Sequence, residues 1–448
     1  MKGVRQGENL SPFLFSIFLN DLDDFLKDHV NGVTKFNDAL VEGAHIYLKL
    51  FILLYADDTV IFSDNARDLQ NALDNFKSYC ELWKLNINVG KTKILIFSRG
   101  RYTYKNTFKI GEHTLDIVSE YKYLGLLFTK SGTFFKAKGQ IAEQGRKAMF
   151  ALLKKIKKLA LPYDLQIDMF EKTIKPIILY GSEIWGFGTV DMLEKVQLQF
   201  YKYVFNLKKS TPSYMVYGET GVMPLSLSIK NRVISYWTRI IKNASENGNL
   251  KLSTKMYLII HELFTNKQIK SNWLDNLKQY LCTSGFSGIW YSQSFINPKW
   301  LIKASYQRLK DIFIQTWHGD INQTSNTNLY KHIKTNFNRS FYLDNIPTHI
   351  CKNLTRFFTR NHRLPIEIGR WHNIPVQERK CTTCNEMGDE FHFIFKCPIF
   401  NSDRERYLDR HIRQRPSMQY FVNLINSNNV SKLKKLGIFC GKIMKHFT

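Results

Sequence analysis

The sequence predicts an α+β chain. Antiparallel strands packed on helices come first, a long helical stretch follows, and a small metal-binding tail closes the order. Three observations carry this. Short apolar runs of strand length, bounded by turn residues, recur up to about residue 135. Apolar positions then repeat at helical spacing as far as about residue 345. Near the end, Cys381, Cys384, His392 and Cys397 crowd into one short segment.

The elements can be taken in order. Ser11 to Leu26 reads as a helix: Ser11 is a suitable N-cap, Pro12 fits the first helical position, and Leu14, Phe18, Leu22 and Phe25 recur on one face. Leu48 to Phe62 reads as a β-hairpin, because the apolar runs Leu50–Leu54 and Val60–Phe62 flank Tyr55-Ala56-Asp57-Asp58 and set two acids at the turn. Ala66 to Leu85 is amphipathic, with Leu69, Leu73, Phe76 and Leu82 facing inward. Ile94–Phe97 and Tyr121–Leu127 are strand-like. Glu143–Ala160 is a helix with Met149, Leu152, Leu153, Ile156 and Leu159 on its packed side. Arg146, Lys147, Lys154, Lys155, Lys157 and Lys158 fill its other faces, and Pro162 ends it. Residues 271–345 are helical with polar breaks, of which Asn322–Asn328 is the candidate linker.

Composition narrows the function classes. The chain has 448 residues, which suggests about three domains. At 44% hydrophobic and 14% aromatic it can bury large cores, so wholesale disorder is excluded. Its net charge of +26 calls for a polyanionic partner, either nucleic acid or an anionic membrane surface. No run reaches the ~18 apolar residues of a membrane span. Lys2 and Arg5 precede an apolar run, but Asn20-Asp21 and Asp23-Asp24 follow it in place of a cleavage site. The seven cysteines are an odd number and mostly scattered. That pattern fits a reducing compartment, and an intracellular protein of the nucleus or cytoplasm is expected.

Two adjacent carboxylates inside FILLYADDTVIFS need a compensating cation, since neighbouring charges repel and desolvation penalises both. Mg²⁺ prefers hard carboxylate oxygens and keeps positions open for phosphates, which suits two-metal phosphoryl transfer. The alternative is a solvated turn, where acids are common.

The residues around this pair carry a resemblance. YADD resembles the catalytic hairpin of reverse transcriptases. Upstream, Gly3 to Pro12 (GVRQGENLSP) resembles the glycine-containing motif that precedes it in non-LTR, LINE-like retrotransposon enzymes. Downstream, LNINVGKTKILIF resembles the next palm motif, and Tyr121-Lys122-Tyr123-Leu124-Gly125 resembles the primer-grip strand. The order of these motifs is the family's. The resemblance implies a partial polymerase palm over 1–135, a helical thumb over 136–225, a helical connector over 226–345, and a basic zinc-knuckle-like region over 346–448.

It also implies site roles. Asp57 and Asp58 hold Mg²⁺, and Lys91, or in its place Lys93, protonates the leaving pyrophosphate. Gln6, Gly7, Tyr55 and Ala56 meet the nucleotide and primer terminus, Leu124 and Gly125 the primer, and Lys154 and Lys155 the template–primer duplex. Gly7 lets backbone approach closely, and Gly125 permits a tight strand, its alternative being a β-bulge. The implied partners are an RNA template, a DNA primer and a dNTP. Glu8 stands where the family usually has Asp. A third carboxylate comes from an earlier palm strand in this family, and only Met1 and Lys2 precede the glycine motif. The chain alone is therefore expected not to polymerise, as a 5′-truncated element copy or a partial gene product. A non-catalytic nucleic-acid-binding remnant and an untranslated pseudogene are the alternatives.

Cys381-x₂-Cys384-x₇-His392-x₄-Cys397 fits a tetrahedral Zn²⁺ site of three thiolates and one imidazole. Gly388 supplies a turn, and Phe391, Phe393 and Phe395 alternate with His392 as a short strand would. Free thiols are the alternative, since the spacing departs from the commonest finger patterns. The spacing resembles the terminal zinc segment of the same retrotransposon proteins. Ahead of it, residues 351–380 hold seven Lys/Arg against two acids, with Phe357, Phe358 and Trp371 as candidate stacking surfaces for RNA. Phe170 to Trp185 is expected to be core.

Overall fold

The structure is a computed structural model, and it describes residues 10–27, 33–41, 44–50, 52–55, 58–98, 100, 106–159, 161–245, 250–323 and 329–447. The chain forms two compact units, Met1–Ala137 with Trp237–Asp275, and Lys138–Tyr236 with Asn276–Thr448.

The first unit is the mixed one. Its opening helix is shorter than the sequence suggested. Ser11–Phe18 and Leu22–Lys27 are separate helices, broken at Leu19–Asp21. The physical reason sits in the break: Asp21 turns to accept a hydrogen bond from the Tyr79 hydroxyl at 2.6 Å. Burial, reinforced by Asp21, holds that phenol well above its ordinary pKa. Leu19, Leu22 and Leu26 pack with Ala72 and Tyr79. Of the face expected to be buried, Leu22 is buried and Phe25 half-buried, but Leu14 and Phe18 are exposed, as are Leu10, Phe13 and Ile17.

Asn65 caps the helix Ala66–Leu82 by accepting the Asp68 N–H at 2.9 Å. Leu73 is buried beneath it and Leu69 and Phe76 are half-buried, but Leu82 lies past the packed stripe and is exposed. Leu73 shares a second core with Ile94, Phe108, Ile110 and Leu115. The last four sit on a three-stranded sheet, in which His113–Val118 pairs parallel with Lys93–Leu95 and antiparallel with Phe108–Ile110.

Three antiparallel hairpins complete the strands. Ile52–Tyr55 pairs with Asp58–Ile61, bringing Tyr55 opposite Asp58, which is the hairpin read from the apolar runs. Val33–Val41 pairs with Ala44–Leu50, an element the sequence reading did not anticipate. The stretch Tyr121–Leu127, expected as one strand, is two strands of a hairpin: Glu120–Tyr123 pairs with Leu126–Thr129. Leu124 (φ 45°) and Gly125 (φ 81°) make the two-residue loop. Two successive positive φ values are what a tight hairpin turn demands, so Gly125 serves a turn and not a bulge. In the same unit, Trp237 donates to the Tyr257 hydroxyl at 2.8 Å.

The second unit is helical. Phe135–Leu159, whose first residues belong to the first unit, buries Met149, Leu152, Leu153 and Ile156 and leaves Lys147, Lys154, Lys155, Lys157 and Lys158 exposed. Leu159, expected inward, is exposed on its last turn. Phe170, Ile174, Ile178 and Trp185 are buried, in keeping with the core role given to that segment. The chain widens into a π-turn over Phe170–Ile174 just before Pro176, which has no N–H to continue a regular ladder. The terminal helix Val430–His446 lies on Thr348–Phe358, where Gly437 lets the two backbones approach: a Cβ there would stand 2.4 Å from Ile350 Cγ2. Of the expected linker, residues 324–328 lie outside the described residues. Among the described residues no helix is long and apolar enough to cross a membrane.

Candidate functional site

The acid hairpin lies in the first unit. Of its residues, Tyr55 ends the first strand and Asp58 begins the second, exposed to solvent. Ala56 and Asp57, like Gln6 and Gly7 of the glycine motif, lie outside the described residues. The environment of Asp58 is nonetheless informative. Tyr123, from the Glu120–Thr129 hairpin, has its phenol pKa raised by burial and then by the charge of Asp58. The carboxylate of one hairpin therefore stands within electrostatic reach of the residue just before the Leu124-Gly125 turn of another.

The third segment is bonded to the second of these hairpins. Lys91 is exposed on the turn before Lys93–Leu95, and its carbonyl accepts the Tyr121 hydroxyl at 3.3 Å. Lys93, the other candidate proton donor, is engaged with Asp116 at 2.7 Å. Further links run from Ser98 N–H to the Lys130 carbonyl and from Lys130 N–H to the Ser119 carbonyl, both 2.9 Å. Residues 91–98 and 119–130 are thus held together by hydrogen bonds. Lys154 and Lys155 are exposed on the second unit's first helix.

The thiol cluster lies in the second unit and is built on a tight knuckle. Lys380 and Met387 bridge antiparallel, Cys381 N–H donates to the Glu386 carbonyl at 2.7 Å, and Asn385 takes φ 56°. Gly388 closes the turn against Pro365, where a Cβ would stand 2.7 Å from the ring. Asp389 then caps the helix Glu390–Phe395, accepting the His392 N–H at 2.8 Å. This corrects the strand expected for Phe391–Phe395. The cap starts a helical turn, and that turn buries Phe393, Ile394 and Phe395 while aiming His392 at the thiols.

The ligand atoms of Cys381, Cys384, His392 and Cys397 all lie within 4.8 Å of one another, and the three sulfurs are 3.8–4.0 Å apart. A tetrahedron of ~2.3 Å Zn–S bonds has edges of about 3.8 Å, so the spacing fits zinc. His392 adds a second sign. It is buried, and neither ring nitrogen has a hydrogen-bond partner. Its Nδ1 stands 3.4 Å from the Glu386 carboxylate, short of hydrogen-bond geometry but placed to orient the ring for a metal on Nε2. Burial works against the Cys381 thiolate, yet the Thr383 and Cys384 N–H groups and the neighbouring thiols outweigh it and lower its pKa. Burial pushes Cys397 up to about 12. Such a thiol stays protonated until a cation is supplied.

The sequence reading missed the supports. Arg404 is buried under the cluster, donating to the Cys397 carbonyl and the Ile394 carbonyl at 2.8 Å each. Its place seven residues beyond Cys397 was the only signal. The proposed stacking surfaces divide: Phe357 and Phe358 are wholly buried, whereas Trp371 is 40% exposed.

Comparison with known proteins bears on the first part of the chain. Residues 1–128 match the family described as reverse transcriptase (RNA-dependent DNA polymerase). The chain is 29% identical over 205 residues to the RNA-directed DNA polymerase from mobile element jockey of Drosophila funebris, covering 44% of this chain and 20% of that protein. It is 27% identical over 206 residues to the probable RNA-directed DNA polymerase from transposon BS of Drosophila melanogaster, covering 44% and 21%. It is 25% identical over 227 residues to a Pol polyprotein from the type-1 retrotransposable element R2 of Popillia japonica, covering 48% and 34%. The chain thus spans between a fifth and a third of these relatives' lengths. Residues 1–128 carry a reverse transcriptase domain, similar to those of non-LTR mobile elements.

Proposed function

We propose that this chain serves RNA-templated transfer of deoxynucleotides to a primer 3′-hydroxyl, as the palm-to-tail portion of a LINE-type reverse transcriptase. One observation supports the reading above the others: Ile52–Tyr55 pairs antiparallel with Asp58–Ile61, so Asp58 stands exposed at the tip of a hairpin, where a carboxylate can reach a metal-bound phosphate.

In this reading Asp57 and Asp58 hold Mg²⁺. When bound, the metal supplies charge stabilisation to the attacking and leaving oxygens. Lys91, exposed and close to Tyr121, delivers a proton to the departing pyrophosphate. Leu124 and Gly125 bear on the primer, and Tyr55 and Ala56 with Gln6 and Gly7 line the nucleotide's position. Lys154 and Lys155 meet duplex phosphates. Zn²⁺ on Cys381, Cys384, His392 and Cys397 has a structural part, holding the knuckle to the helix Glu390–Phe395.

The metal cage in this reading needs a third carboxylate besides Asp57 and Asp58. None of the motifs identified supplies it, so the chain by itself is expected to leave a primer unextended on an RNA template with Mg²⁺. Fused behind the palm segment of a related element that carries the missing acid, the chain is expected to extend the primer. Asp57→Asn in that fusion should slow synthesis about a thousandfold, the scale of losing several kcal/mol of charge stabilisation. Extension that is indifferent to Asp57 would remove the polymerase reading. RNA binding with a steep salt dependence and no extension by the fusion would leave a binding remnant in its place.

A further inference from the structure

Within the second unit, the loop after helix Asp191–Val204 and the helix Pro365–Trp371 enclose a cavity of about 360 Å³. Its lining combines three cations, Lys208, Arg360 and Arg370, with the hydroxyl residues Ser210 and Thr211 and the indole of Trp371. The residues are far apart in sequence, and Asn361 ties them together. Its buried Oδ1 accepts the Lys208 N–H at 2.7 Å and the Thr211 hydroxyl at 2.9 Å, fixing the loop to the helical side.

Charge around the cavity is unbalanced. Glu367, fully buried, is paired with Arg360 and with Arg370 at 2.6 Å, and Glu390 is held by His362 at 3.0 Å. Against these two carboxylates stand Arg360, Arg370, Lys208, Arg356 and Arg363. Lys208 bears the result. Burial lowers its pKa, Glu367 pulls the other way, and Arg363, Arg356 and Arg370 lower it further. Its ammonium has settled over the Trp371 ring, 3.6 Å from the centroid, a contact that supplies partial negative charge but no counter-ion. Exposed cations beside a partly exposed indole form the pair of surfaces that a nucleotide uses, phosphate on one and base on the other.

We propose that this cavity binds one unpaired nucleotide of a single-stranded nucleic acid, its base displacing the Lys208 ammonium from the Trp371 ring and its phosphate taking up that ammonium together with Arg370. The single strand follows from the indole, because a duplex keeps its bases stacked on one another and offers none to a side chain. The site does not depend on the polymerase reading: it lies in the other compact unit and is tested by binding alone, without Mg²⁺ or dNTP.

The experiment is fluorescence anisotropy of the full chain with a labelled oligothymidylate and with the same strand in duplex. Trp371→Ala should weaken single-strand binding about tenfold, the size of a lost base–aromatic stack, and leave the duplex within about twofold. Trp371→Phe keeps a ring and should restore most of the affinity. Lys208→Ala should weaken the single strand and flatten its salt dependence by about one phosphate contact, whereas Lys299→Ala, an exposed lysine on helix Pro298–Asn322, should not. Equal losses for single strand and duplex, no rescue by Phe, or equal effects of the two lysines would overturn the proposal. So would competition by free thymidine monophosphate at the strand's own concentration, which would assign the cavity to free nucleotides.

Discussion

At the scale of single residues, the Leu124-Gly125 turn is under backbone constraint. A left-handed conformation costs an L-residue about 1–2 kcal/mol, and Leu124 already bears that strain at φ 45°. Strain of this kind persists where the surroundings fix it, often at functional sites. Gly125→Ala adds a second strained residue, so it is expected to lower unfolding stability by about 1–2 kcal/mol, read from urea denaturation. A mutant of unchanged midpoint would mean that the hairpin has rearranged. The sequence made Gly125 conspicuous through the motif around it. It hid Leu124, because nothing in a leucine announces a positive φ. Trp371 stood out as an aromatic in a basic stretch, but Lys208 was hidden, since their contact joins a loop and a distant helix with no shared pattern.

At the scale of elements, legibility follows the range of the interactions. The thiol cluster could be read because all four ligands fall within one short segment, and zinc geometry constrains spacing strongly. The strand expected at Phe391–Phe395 failed for a local reason: alternating aromatics suggest a strand, but the Asp389 cap and burial on nearly every side favour a helical turn. The long helix at Ser11 failed for a distant one, the claim of Tyr79 on Asp21. Cys384→Ser is expected to abolish zinc binding, taking metal content by mass spectrometry from one ion per chain towards none. Amide exchange should rise over the knuckle and the helix Glu390–Phe395, and stay unchanged at the three-stranded sheet of the other unit. Exchange that stays slow in the mutant would show the segment to be held by Arg404 and the aromatic core, with the metal incidental.

At the scale of the whole molecule, net charge was the most legible property and the least specific. A balance of +26 names a polyanion without saying where it binds. The structure narrows this by separating cations already engaged, such as Lys93 and Arg360, from those on open faces, such as Lys154 and Lys155. Replacing both Lys154 and Lys155 by Ala is expected to shift the logarithmic salt slope of duplex binding by about two units, with little change in thermal stability. A slope that does not move would place the duplex on another face.

The composition of the first unit has a consequence for biosynthesis. Its closing helices come from 237–275, after all of 138–236 has been made. A ribosome adding about 5–20 residues per second would leave the early strands without those partners for roughly 5–20 s. During that interval the hairpin of Val33–Val41 and Ala44–Leu50 lacks the helix Leu252–Thr265 that lies against it in the finished unit. Any stop codon between 138 and 236 would release a chain whose first unit can never close.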